Sequence, residues 1–157
     1  MGAKAVRGKS DRSFRAWNVS PQDRSSVDEF VSYAQKAMRL SDWSIRVDWS
    51  SPCEKGALAT TQDMPDSKHA VLKFSEKFLQ LSPRERRQVI CHELMHCHVF
   101  PVQRLAEETV ASLVSKQATA VFSIAFTSAV ELLVDTLADV LVETISTKSD
   151  TRRMLNL

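Results

Sequence analysis

Between Trp43 and Ser50 the chain alternates, with Trp43, Ile45, Val47 and Trp49 apolar and the residues between them polar. A period of two is the signature of a half-buried strand, and Pro52 ends it. Gly56 to Thr61 reads as a second strand and Met64-Pro65-Asp66 as a turn. His69 to Ser75 reads as a third strand, with Ala70, Leu72 and Phe74 on one face and Val71 and Lys73 on the other. Ahead of the strands, Val27, Phe30, Val31, Ala34, Ala37 and Met38 recur at helical spacing, so a helix capped by Ser25 or Ser26 is expected up to about Met38. After them, a short helical turn is expected over 76–80. The strongest boundary is Ser82-Pro83-Arg84-Glu85, where Ser caps, Pro sits at the first helical position and Glu three residues on completes a capping box. That helix is expected to end near His98, before Pro101. Beyond Val102 no Gly or Pro occurs. One helix over 102–147 would be about 69 Å long, so a break is expected near Lys116 to Thr119.

The order α-β-β-β-α-α-α predicts an α+β fold: a small three-stranded, mostly antiparallel sheet packed on the capped helix and a C-terminal helical region. With 157 residues, 43% of them hydrophobic, the chain fits a single domain. Gly56 is the last of only three glycines, which argues against a turn-rich sandwich or barrel. Lys+Arg (21) and Asp+Glu (19) nearly balance, so the whole domain is not built to attract nucleic acid. Three cysteines without paired spacing argue against a secreted disulfide scaffold. Residues 1–24 carry six basic side chains and two acids without periodicity, the pattern of a flexible basic arm. The remaining residues, 25–157, form the predicted domain. No signal-peptide core follows the N-terminus, and the longest uncharged run, between Lys116 and Glu131, is 14 residues. A spanning helix needs about 20. Cytoplasmic placement in the producing or host cell, without membrane insertion, is expected.

The capped helix carries the chemistry. His92-Glu93-Leu94-Met95-His96 is an H-E-x-x-H pattern, which chance supplies roughly 0.006 times in a chain of this composition. Residues i and i+4 leave one face of a helix, so His92 and His96 can share one zinc ion. Glu93, about 100° around the helix, can take a proton from water beside that ion. A third ligand is needed, and Glu107, Glu108 and Glu131 are candidates. Glu131, Asp135, Asp139 and Glu143 form an acidic seam on an otherwise apolar helix, and such acids must be solvated, paired or metal-bound. Glu131 as ligand, with Asp135 accepting from a ligand imidazole, accounts for the first two. Asp139 and Glu143 are expected to be exposed. Cys91 and Cys97 do not share the face of the histidine pair, and His98, about 200° past His96, suits packing or capping.

The H-E-x-x-H motif followed by Glu131-x-x-x-Asp135 resembles the gluzincin branch of zinc metallopeptidases. The chain is similar over about residues 40–145 to minigluzincins and to small metallopeptidases of phages and prophages. The resemblance implies a zincin-like fold, one zinc ion held by His92, His96 and Glu131, and Glu93 as general base in hydrolysis of a peptide or protein substrate. It implies an extended peptide pairing with a sheet edge, for which the 69–75 strand is expected. The larger gluzincins have a second helical subdomain that this chain lacks, and the oxyanion donor is unassigned. Two other functions fit the same residues: a non-catalytic module stabilised by zinc, and a DNA-associated protease recruited through residues 1–24. Oligomeric state is not written in the sequence.

Overall fold

The computed structural model describes residues 17–64 and 67–155, with side chains up to Ile145. The fold is α+β, as the hydrophobic pattern predicts. Helix α1 (Pro21–Ala37) leads to strands β1 (Ser44–Val47), β2 (Ala59–Asp63) and β3 (His69–Phe74). Short α2 (Glu76–Leu79) precedes two long helices, α3 (Pro83–Leu113) and α4 (Lys116–Leu155).

Helix α1 starts ahead of the expected cap. Ser20 is the N-cap, Pro21 follows at the first position, and the Asp23 N–H donates to Ser20 Oγ at 3.0 Å. This repeats the Ser-Pro-x-acid device that starts α3, where the Ser82 N–H donates to Glu85 Oε2 at 2.8 Å. Arg86 ties the two starts together through Asp23, at 3.0 Å. The chain from 17 to 24 is therefore packed structure, with Val19 buried, rather than the end of an arm. Residues 1–16 of the expected arm, and Pro65-Asp66 of the expected turn, lie outside the described residues.

The sheet is mixed, in the order β1-β3-β2. β1 pairs with β3 in parallel and β2 pairs with β3 antiparallel, so the mostly antiparallel expectation holds for one pair of the two. β3 is the central strand and cannot offer a free edge; this corrects the expected peptide-binding edge. Burial explains why β3 is internal: Ala70, Leu72 and Phe74 are fully covered and Val71 is buried on the opposite face. The Ser75 N–H donates to the Leu58 carbonyl and the Met64 N–H to the His69 carbonyl. Bonded pairs alternate in an antiparallel ladder, so Leu58, Thr60, Gln62 and Met64 face β3. Ala59, Thr61 and Asp63 then turn their backbone groups to the open edge of β2.

The core lies between α1, the sheet, the first half of α3 and residues 130–145 of α4, and includes Val31, Ala34, Leu72, Phe74, Phe78, Ile90, Leu94 and Val134. Phe74 stacks on Phe78 with ring centroids 4.2 Å apart. Two helix boundaries differ from expectation. Helix α3 runs through Pro101 and stops only at Val114, whose backbone is extended. Proline removes one intrahelical bond and strains one turn. Here the ring is exposed and α4 packs alongside α3, which carries the helix past it. The break falls at Val114-Ser115, and α4 then continues for 40 residues. Within α4, Lys116–Ile145 is long and apolar enough to cross a membrane by length and composition, which the count of 14 uncharged residues had excluded. Its residues Val130, Val134, Ala138, Val142 and Ile145 are buried in the core, one per turn. Residues 116–129 include none that is buried, and at 1.5 Å per residue they measure about 21 Å, short of the roughly 30 Å of a bilayer interior.

Candidate metal centre

The acidic seam of α4 meets a matching row on α3. Glu143 pairs with Arg84, the Gln88 side chain donates to Asp139, His92 bonds Asp135, and Glu131 lies between His92 and His96. Arg84, Gln88, His92 and His96 are spaced one turn apart, as are Glu143, Asp139, Asp135 and Glu131. The two rows run antiparallel and form four rungs, from Arg84–Glu143 to His96–Glu131. Asp139 and Glu143 are exposed, as expected, and both are bonded to α3. The rungs fix the rotation of α4 about its axis, which is what points Glu131 at the imidazoles.

At the last rung His92 Nε2 lies 3.1 Å from His96 Nε2, 3.4 Å from Glu131 Oε2, and His96 Nε2 lies 3.7 Å from Glu131 Oε1. These three residues form the one group of three or more His, Cys, Asp or Glu ligand atoms among the described residues that could hold a metal ion. His92 Nδ1 sits 2.8 Å from Asp135 Oδ1. A carboxylate can only accept, so Nδ1 carries the proton and the Nε2 lone pair faces the group, the tautomer a ligand imidazole needs. Burial holds the His96 ring below its usual pKa, with Glu131 opposing, so it is neutral and able to donate its lone pair at neutral pH. Phe100, one turn further along α3, stacks on His96 with centroids 5.7 Å apart and limits its rotation.

Glu93 is 6% exposed and is the buried acid of the domain among the described residues. The Thr61 hydroxyl donates to Glu93 Oε2 at 2.7 Å and lies 3.1 Å from the Glu93 carbonyl. Burial pushes the Glu93 carboxyl above its usual range, against the Thr61 hydrogen bond that favours the ionised form. A group so placed has a stronger affinity for protons than an exposed glutamate. Thr61 was not singled out by sequence reasoning, because its approach to Glu93 depends on strand pairing and not on local spacing.

Beside the group opens a cavity of about 410 Å³, lined by apolar Leu58, Ala59, Leu81 and Val89 and by polar Glu85, Gln88, His92, Glu93 and Asp135. The other residues considered as ligands lie elsewhere. Glu107 Oε1 accepts from Gln103 Nε2 at 3.2 Å, and Glu108 is exposed. Cys91 and Cys97 are buried in the core, and burial raises each thiol to about 12, so neither supplies a thiolate. His98 Nε2 donates to the Met38 carbonyl at 2.9 Å, a cap on α1. Tyr33 packs against Phe30, with ring centroids 6.3 Å apart. Thus His92, His96, Glu131 and Asp135 converge at one point with Glu93 beside them. Compared with protein-family profiles, with curated proteins and with solved structures, the chain matches none.

Proposed function

We propose that this chain is a zinc-dependent peptidase of gluzincin type, in which His92, His96 and Glu131 hold one zinc ion and Glu93 is the general base. The observation that carries this reading is the convergence of three donor atoms next to a buried carboxylate. Donors bound tetrahedrally to zinc at about 2.1 Å sit about 3.4 Å from one another. The two imidazole nitrogens, 3.1 Å apart, are close to that figure, each lies 3.4–3.7 Å from a different oxygen of Glu131, and one ligand atom from each of the three residues lies within 4.8 Å of the other two. Two nitrogens and one carboxylate with no thiolate also suit a catalytic rather than a structural site, because a fourth position stays open. When bound there, zinc lowers the pKa of a coordinated water towards about 7 and polarises a carbonyl.

The chain's own residues supply the rest. Glu93, buried and oriented by Thr61, takes the proton of the attacking water and returns it to the leaving amine. Asp135 holds His92 in its ligand tautomer. Ala59, Thr61 and Asp63 present unpaired backbone groups at the β2 edge, where an extended peptide can add as a further strand with its scissile bond level with Thr61. The mixed cavity beside Leu58 then receives a side chain of that peptide.

The test is Glu93→Gln measured two ways. Zinc content should stay at one equivalent while cleavage of a mixed peptide library falls by about 10²–10⁴; an unchanged rate rejects the mechanism. The alternative of a zinc-stabilised binding module draws support from the unassigned oxyanion donor. It predicts that a chelator unfolds the domain. Here the core is built from α1, the sheet, α3 and α4, and the ligands sit at its margin. A chelator is therefore expected to leave the far-ultraviolet dichroism unchanged and to abolish cleavage.

A further inference from the structure

The cavity beside the metal group extends to one side of it. Leu58 and Ala59 line it from the strand that carries Thr61, and both precede Thr61. Glu85 and Val89 line it from α3, and both precede His92. Three carboxylates reach it, those of Glu85, Glu93 and Asp135, and no lysine or arginine does. The lining is thus apolar in part and negative in sum, which neither a wholly apolar side chain nor an acidic one matches.

Two of the three acids are committed to the metal group. Asp135 accepts from His92 Nδ1 at 2.8 Å, and Glu93 accepts from the Thr61 hydroxyl at 2.7 Å. Glu85 stands apart from them, exposed, eight positions before Glu93 on α3 and so about 12 Å along the axis. Its carboxylate serves the α3 cap, where the Ser82 N–H donates to Oε2 at 2.8 Å. Hydrogen bonding to Ser82 holds the carboxyl below its usual range, so Glu85 is ionised at neutral pH. A carboxylate offers about four acceptor sites, and the cap leaves room among them for a cation.

Resting on the peptidase reading, we propose that this cavity selects peptides with lysine or arginine directly after the scissile bond, and that Glu85 pairs with the cationic end. Both side chains lay a long apolar stem along apolar surface and keep the charged head in water. Here the stem passes Ala59, Leu58 and Val89, and the head meets the exposed Glu85. Only a long side chain covers that distance. The side of the bond follows from the strand. The antiparallel ladder is the more stable one, so a peptide on the β2 edge runs opposite to β2, from the Asp63 end towards the Leu58 end. With its scissile bond level with Thr61, the residue after the bond lies on the Ala59 side, where the cavity opens.

The experiment digests a mixed peptide library with the zinc-loaded wild-type protein and reads the residues on both sides of each cut by mass spectrometry. Lysine and arginine are expected after the cut about three- to fivefold more often than methionine, an unbranched side chain without charge, and the excess should shrink in high salt. Glu85→Gln keeps the capping box, in which glutamine also serves, so the fold is retained. It should erase the excess while cutting before methionine continues at its former rate. Equal use of lysine, arginine and methionine overturns the proposal and leaves the peptidase reading intact. An excess before the cut instead of after it, or one that persists in Glu85→Gln, overturns it too. No cutting by the zinc-loaded wild type removes the peptidase reading, and this proposal with it.

Discussion

The two halves of α4 are close in composition and opposite in fate. Residues 130–145 bury Val130, Val134, Ala138, Val142 and Ile145 one turn apart and bond their acids to α3. Residues 116–129 are as apolar, yet none is fully buried and only Phe126 packs half-buried against the core; Ile124 is 71% exposed and Val121 69%. Hydropathy is the same kind of signal in both, so it does not decide burial. The partner does. Opposite the inner half stand the sheet, α1 and the row Arg84, Gln88, His92 and His96. Opposite the outer half stands only the end of α3, itself exposed at Val102, Leu105 and Leu113. The inner half is a core helix with an acidic face turned to α3, and the outer half is one arm of a helical hairpin.

Substitutions can break this contrast. Glu131→Ala removes the acid that α4 adds to the proposed zinc group, and zinc affinity should fall by at least about a hundredfold, whereas Glu108→Ala, on the hairpin, should leave it unchanged. Equal losses in the two variants would show that Glu131 is not the ligand. Asp135→Asn leaves the ligands in place but loses the acceptor for His92 Nδ1, so a loss of about tenfold to a hundredfold in metal affinity is expected by titration. Packing gives a smaller contrast. Val134→Ala should cost about 2 kcal/mol in urea unfolding, from two lost methyl groups and a residual cavity. Ile124→Ala, which deletes one carbon more, should stay within about 0.5 kcal/mol. A cost for Ile124 equal to that for Val134 would show the outer half to be covered.

How far the residues alone disclose this architecture differs from place to place. The α3 cap, the alternation at Trp43 to Trp49 and the third strand were readable because each rests on neighbours in the chain. Ser20-Pro21-Gln22-Asp23 carries the same cap as Ser82-Pro83-Arg84-Glu85, yet the basic charge of residues 1–24 masked it. Pro101 misleads because the steric rule for the residue before proline is a preference, and packing on α4 outweighs it. The place of β3 within the sheet, and with it the open edge at β2, depends on pairing between distant segments, which no single strand declares. Thr61 reaches Glu93 across 32 positions of sequence for the same reason. For the metal group the helical period served well: His92 and His96 by spacing, Glu131 and Asp135 by the seam. The partners of Asp139 and Glu143 were also present one turn apart on α3, but matching the two rows requires knowing that the helices run antiparallel.

The rungs carry a consequence for how this chain tolerates change in length. All four lie inboard of Phe100 and Ala129, and outboard of them Phe100 stacks on His96, Arg104 pairs with Asp63 and Phe126 packs on the core, so the overhang that the imidazoles do not sense is residues 105–124. Seven residues are close to two helical turns. Excising 105–111 together with 116–122 shortens both arms equally, keeps their phase and leaves the turn at Val114-Ser115 in place. The trimmed protein should bind zinc with unchanged stoichiometry, and loss of that binding would mean the overhang steadies the centre after all.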